Sequence, residues 1–292
     1  CAKFFGRERD IASLLSRLRL QPLIAVGGPS GAGKSSFVRA GIIPAFKRLG
    51  SQREAIVVRP GKKPLLAMAS VLIELAEQTL DDLHQSSLNV TAGPEALAGL
   101  LRERPGLLGA ILRASCRARG AQASTLFFVD QFEEMFTLCG DAVERAAFLS
   151  CLEGAADDAT SPLRVILAMR SDFLDRLADA RKLSSDVAKG LYLLPPLGKD
   201  ELRDALTKPL ELLGYRYENS ELVEKMLSAL ERTNAPLPLL QFTASKLWEA
   251  RDTGAKLLTT ASYEKLGGVE GTLASHADTV VASMSTEDKQ LV

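Results

Sequence analysis

Histidine, cysteine and tryptophan are scarce: two, four and one among 292 residues. The cysteines, Cys1, Cys116, Cys139 and Cys151, stand far apart with no CxxC pair, and His84 and His276 are the two histidines. A zinc site is therefore not expected, and the thiols read as free in a reducing compartment. Excess charge of either sign is lacking as well, since 36 Lys and Arg balance 36 Asp and Glu. No global field draws such a chain to nucleic acid or an anionic membrane, and any polyanion must be held locally. Apolar runs such as Leu23 to Val26 and Leu126 to Val129 fall far short of the ~20 residues of a membrane helix. No basic, then apolar, then small-residue leader opens the chain. Repeats and low-complexity tracts are missing too. Together these absences read as a soluble cytoplasmic protein without a membrane partner.

What is present is ample apolar content, 46% of residues, enough for one large or two modest domains and too much for intrinsic disorder. The chain opens on Cys1 rather than Met and stops soon after Ser285, Thr286, Glu287 and Asp288, the polar start of a helix. It is read as a piece of something longer. Amphipathic helical stretches alternate with short apolar strands bounded by Gly, Pro or charged residues, the pattern of an α/β fold with a parallel sheet and flanking helices. Ile11, Leu14, Leu15 and Leu18 form a first helical stripe. Strands are expected at Leu23 to Val26, Ala55 to Arg59, Thr125 to Asp130, Arg164 to Met169 and Leu191 to Leu194, with a helix from Lys34 to Phe46 that ends near Pro44. A helical insertion, Pro64 to Arg119, broken at Gly93, Pro94, Pro105 and Gly106, covers a sheet face. After Pro196 the strand signal vanishes. Leu202, Leu206, Leu210 and Leu213, then Leu222, Met226, Leu227 and Leu230, then Leu239, Leu240, Phe242 and Leu247 keep helical spacing. A boundary is placed there: residues 1–196 form an α/β domain and 197–270 an all-α domain.

Gly28, Pro29, Ser30, Gly31, Ala32, Gly33, Lys34 and Ser35 satisfy G-x-x-x-x-G-K-[ST] between a predicted strand and a predicted helix, and Ser36 completes the loop. Glycines at those positions let successive N–H groups turn inward as an anion nest, to which the helix adds its positive end. Phosphate binding then needs no net basic charge. Lys34 is expected to reach the β- and γ-phosphates, and the Ser35 hydroxyl to ligate Mg²⁺. Two other motifs fail by inspection: a dinucleotide GxGxxG from Gly31 would need glycine where Ser36 stands, and a GxSxG elbow around Ser30 would need glycine where Ala32 stands.

Four apolar residues, Leu126 to Val129, lead to Asp130, which suits the second metal-side group of such a site. Glu133 and Glu134 follow, and either is suited to orient or deprotonate an attacking water. Gln131 occupies the place where many ATPases of this broad division carry the catalytic acid, so fast turnover is not expected. Arg170 ends the fourth strand; if that strand lies between those of the phosphate loop and Asp130, its guanidinium faces the γ-phosphate. The competing reading for Arg170 is an ion pair with Asp172 or Asp175.

Phe5-Gly6-Arg7-Glu8, the phosphate loop running into Arg39-Ala40-Gly41-Ile42-Ile43-Pro44, Arg59-Pro60-Gly61, Val129-Asp130-Gln131-Phe132-Glu133-Glu134-Met135-Phe136, Arg170-Ser171-Asp172-Phe173-Leu174, Leu237-Pro238-Leu239-Leu240 with Leu247-Trp248, and Tyr263 with Leu266-Gly267-Gly268 together resemble the novel STAND NTPase 1 group of signal-transduction ATPases. The resemblance covers nearly the whole chain. It implies a nucleotide-gated switch similar to NB-ARC receptors, resting with ADP and forming a homo-oligomer once a fused sensor is engaged. It also implies a winged-helix domain whose truncated beginning is residues 271–292, and sensor and effector domains outside this chain. By the same likeness Gly6 and Arg7 line the nucleotide and Pro238 presses on the adenine, although Pro238 also suits a helix N1 position. The fragment itself is expected to be a monomer and a slow ATPase. The alternatives are an ATPase of the origin-recognition or loader type, which zero net charge disfavours, and a nucleotide-binding scaffold without turnover, which Gln131 suggests.

Overall fold

The computed structural model describes residues 4–80, 93–156, 158–177, 181–230, 236–269 and 271. They divide into two compact units: Glu8–Pro29 with Lys34–Pro195, and the chain from Pro196 onward, with which Ser30–Gly33 and the segment ending at Arg7 group.

The first unit is built on five parallel strands, β1 (Leu23–Gly28), β2 (Arg53–Val58), β3 (Ser124–Val129), β4 (Leu163–Arg170) and β5 (Leu191–Leu193), in the order β2-β3-β4-β1-β5. Every residue of β1 is buried, as a parallel strand covered on both faces requires. β4 lies between β1 and β3, pairing Gly28 with Arg170 and Val129 with Leu167. The chain therefore leaves β1, β3 and β4 side by side at one end of the sheet, where open α/β sheets bind ligands.

Helix α1 (Glu8–Leu20) buries Leu14 and Leu18 and leaves Ile11 and Leu15 partly covered. The insertion contains α4 (Pro64–Leu80), α5 (Pro94–Glu103), which opens at Pro94 after Gly93, and α6 (Leu107–Arg119), set off from α5 at Pro105 and Gly106. Its apolar faces join α8 (Ala142–Ala155) and the sheet in one core that contains Leu72, Leu97, Leu101, Ile111, Phe127 and Phe148. Asp141 caps α8, its Oδ1 accepting from the N–H groups of Val143 at 2.8 Å and Glu144 at 3.2 Å.

Two expectations are corrected. The helix after the phosphate loop does not end near Pro44: α2 (Lys34–Ser36) passes through a π turn (Phe37–Ile42) into α3 (Ile43–Arg48). The Ile43 N–H bonds to the Val38 carbonyl, five residues back. Proline in a uniform α-helix lacks one donor and crowds the carbonyl four residues earlier; the wider π turn places Pro44 in a first turn, where neither matters. Nor do strands disappear after Pro196, since β6 (Arg216–Tyr217) and β7 (Leu257–Leu258) pair in parallel. A two-residue strand is too short to show periodicity.

After α9 (Arg181–Lys189) and β5 close the first unit, the second packs α10 (Lys199–Glu211), α11 (Ser220–Leu230), α12 (Pro236–Glu249) and α13 (Thr260–Lys265) around Leu202, Leu206, Leu222, Met226, Leu230 and Leu247. Leu213 lies past the end of α10 and is 54% exposed, outside the expected stripe. Beyond Gly271 the expected beginning of a winged-helix domain lies outside the described residues. No described helix is long and apolar enough to cross a membrane.

Candidate functional site

The loop between β1 and α2 contains two residues in the left-handed region, Gly31 at φ 75° and Gly33 at φ 82°, where a side chain would be strained. Gly33 is also closely approached: a Cβ there would lie 3.1 Å from Leu237 Cδ1, within the second unit. Lys34 folds back over its loop, donating from Nζ to the carbonyls of Gly28 at 2.9 Å and Pro29 at 2.8 Å. Burial lowers the Lys34 pKa below 10.5, and nearby Glu133 opposes that shift. Arg170 adds to the lowering, whereas Asp172 and Asp130 oppose it. These influences mark Glu133, Arg170, Asp172 and Asp130 as the charged surroundings of the loop lysine.

Asp130 follows β3 directly, its N–H held by the Val58 carbonyl at 2.8 Å, and is buried. Its Oδ1 accepts the Ser35 hydroxyl at 2.6 Å and its Oδ2 the Arg39 Nε–H at 2.8 Å. Ser35 and Arg39 are four residues apart, close to one helical turn, which brings both to one carboxylate. The chain then turns at Gln131, a non-glycine residue at φ 51°, and the Phe132 N–H hooks onto the Ala168 carbonyl at 2.8 Å. Phe132 and Met135 are fully buried and fix the short helix α7 (Glu134–Thr137).

That anchoring separates the two glutamates. Glu134 is buried, and its Oε1 accepts from Arg59 Nε at 2.8 Å and from Arg59 Nη2. Glu133 instead carries a buried oxygen, Oε2, without a hydrogen-bond partner. A buried carboxylate oxygen left bare is unfavourable in a resting protein and calls for a donor.

Arg170 stands at the end of β4 beside Gly28. Its Nε and Nη2 donate to the two carboxylate oxygens of Asp172 at 3.1 and 2.6 Å, and the guanidinium lies 5.6 Å from the Phe173 ring centroid. The hydrogen bond to Asp172 raises the Arg170 pKa, and the same bond lowers that of the Asp172 carboxyl. Of the two readings weighed for Arg170, the ion pair is present, and it is made with Asp172. In the second unit Gly6 has φ 82°, and a Cβ added there would collide with the Glu201 carbonyl oxygen; Arg7 is buried. Pro238 is exposed in the first turn of α12, two residues after Pro236 opens it.

Sequence reasoning assigned no role to Arg39 and Arg59, which pair with Asp130 and Glu134. Both belong to the short motifs quoted above, but nothing in their spacing shows which acid each reaches.

A glycine-rich loop between an inner strand of a parallel sheet and a helix, with a buried aspartate from a nearby strand beside its serine, defines a P-loop NTPase. Within that class the chain belongs to the novel STAND NTPase 1 family, whose model matches residues 1–292. No curated protein matches it. Among solved structures it is similar to the Walker-type ATPase paby2304 of Pyrococcus abyssi, with 17% identity and a TM-score of 0.59 over 98% of this chain and 75% of that one. It is also similar to the ORC2 protein of Aeropyrum pernix in its ADP form, with 16% identity and a TM-score of 0.56 over 89% of this chain and 63% of that one. At such identities the likeness is one of fold. The chain spans less than two thirds of that ORC2 chain.

Proposed function

We propose that this chain is the ATP- and ADP-binding switch module of a multidomain signal-transduction ATPase, which hydrolyses ATP slowly and couples the phosphate state to a change of conformation and assembly. The observation that carries the reading is the Gly28–Ser36 loop with Ser35 Oγ 2.6 Å from the buried Asp130 carboxylate. The loop amides and Lys34 hold phosphates; Lys34 exchanges its two carbonyl partners for phosphate oxygens as the nucleotide enters.

The donor set fits Mg²⁺. A serine hydroxyl and one aspartate are hard oxygen donors, few enough that phosphates and water complete the shell. Among the described residues no group of three or more His, Cys, Asp or Glu offers a protein-only metal cage. Ser35 and Asp130 would hold the ion, which when bound neutralises charge on the β- and γ-phosphates.

Of the two glutamates left open by the sequence, Glu133 is the better base. Glu134 is engaged by Arg59, whereas Glu133 keeps a bare Oε2 and its charge acts to raise the Lys34 pKa. The carboxylate can accept a proton from an attacking water, and Lys34 and Arg170 can stabilise the phosphoryl charge. Gln131, in the place of a catalytic acid, supports slow turnover, and a scaffold without turnover is the limiting case. Gly6, Arg7 and Pro238 are assigned to the nucleoside by family likeness, with residues 197–270 as the helical domain and 271–292 as the start of the winged helix. Signal and output belong to fused domains, and the active state is a homo-oligomer. Denaturing freshly purified protein and identifying the released nucleotide tests the reading. ADP is expected; a protein that releases none and takes up neither ADP nor ATP contradicts it.

A further inference from the structure

Asp130 is 4% exposed, and each of its carboxylate oxygens has its own donor, Ser35 Oγ on Oδ1 and Arg39 Nε on Oδ2. A carboxylate so far from water needs a counter-charge. Arg39 supplies it from the π turn, and half of its side chain remains exposed. The guanidinium can therefore swing into solvent while the core stays packed. The oxygen pair suited to a divalent cation is thus already compensated by a cation of this chain. Like charges a few ångströms apart repel strongly where water is thin, so a metal ion and the Arg39 guanidinium cannot both sit on Asp130 without loss.

We propose that Arg39 is a resident counter-cation that competes with the divalent metal for Asp130 and so sets the affinity of the site for it. The inference rests on the reading of Ser35 and Asp130 as the metal-side pair. It gives the π turn a purpose, because the turn carries the arginine whose release accompanies metal entry. With Arg39 in place the metal-free site is neutral and gains little from a bare ion. The negative phosphates of a nucleotide shift the balance, making metal entry depend on nucleotide.

Mn²⁺ titrations followed by electron paramagnetic resonance, on the full chain with saturating ADP, test this. Arg39→Gln removes the charge and should bind Mn²⁺ about tenfold more tightly than the wild type. Arg39→Lys keeps the charge and should stay within about threefold of it. In the wild-type protein the Arg39 Nε–H resonance should move toward that of a solvent-exposed arginine when Mg²⁺ and ADP are added, a readout that needs no variant to fold. Equal or weaker Mn²⁺ binding by Arg39→Gln, equally tight binding by Arg39→Lys and Arg39→Gln, or an Arg39 resonance that stays in place overturns the proposal while the metal-side pair stands. If ADP-loaded Asp130→Asn binds Mn²⁺ as tightly as the ADP-loaded wild type, the metal-side pair is overturned, and the proposal with it.

Discussion

Glu133 and Glu134 are neighbours with opposite circumstances. Glu134 is neutralised by Arg59, whose side chain is 58% exposed, so that pair is screened and contributes about 1 kcal/mol at most. Glu133 has a buried oxygen with nothing to bond. Glu133→Gln is accordingly expected to leave nucleotide affinity within about twofold and to lower single-turnover ATP hydrolysis by about 10²-fold or more. Glu134→Gln should lower the melting temperature slightly with hydrolysis within about fivefold of wild type. Phosphate release under single-turnover conditions, beside calorimetric binding, checks both; the opposite ranking would make Glu134 the base. That either glutamate belongs near the site is legible in the residues after Asp130. Which of them Arg59 takes is not legible there, and neither is the left-handed turn at Gln131 that precedes them, since a lone glutamine carries no signal of it.

At the scale of elements, apolar runs closed by Gly, Pro or charge are sufficient to find the five strands, because the inner strands β1, β3 and β4 are buried almost throughout and keep their polar residues near their ends. The breaks at Gly93 and Pro105 in the insertion were equally plain. The π turn was not, since proline reads as a stop unless the preceding turn widens. Arginine pairings were also hidden, because a long side chain bonds wherever the fold leaves unsatisfied acceptors. Arg164, near the start of β4 and at the end of the sheet away from the phosphate loop, is the plainest case. It donates to the carbonyls of Leu18, of Ser161 and Leu163 at 2.6 Å each, and of Ala159 at 3.2 Å. It thereby ties α1 to the entry of β4. Arg164→Leu removes these donors and should cost about 2 kcal/mol in urea unfolding, with ADP affinity unchanged. A loss of ADP affinity without a loss of stability would contradict a purely structural role.

For the whole molecule, a ligand shifts a conformational equilibrium only by its difference in affinity for the two states. For the proposed switch, ATP and ADP must therefore meet different groups, and Arg170, beside Gly28 yet held by Asp172, is the group proposed to feel the γ-phosphate. Arg170→Ala is expected to leave ADP affinity within about twofold while reducing the preference between ATP and ADP, whereas Pro238→Gly should weaken both alike. If Arg170→Ala lowers both affinities by the same factor, Arg170 serves only its ion pair. All of this stands on nucleotide being bound at the Gly28–Ser36 loop. Calorimetry of ADP and ATP with Mg²⁺ on the wild-type chain and on Lys34→Ala measures that directly. Binding by the wild type and a loss of about 10²-fold or more in the variant are predicted; undiminished affinity of Lys34→Ala for both nucleotides would place the site elsewhere.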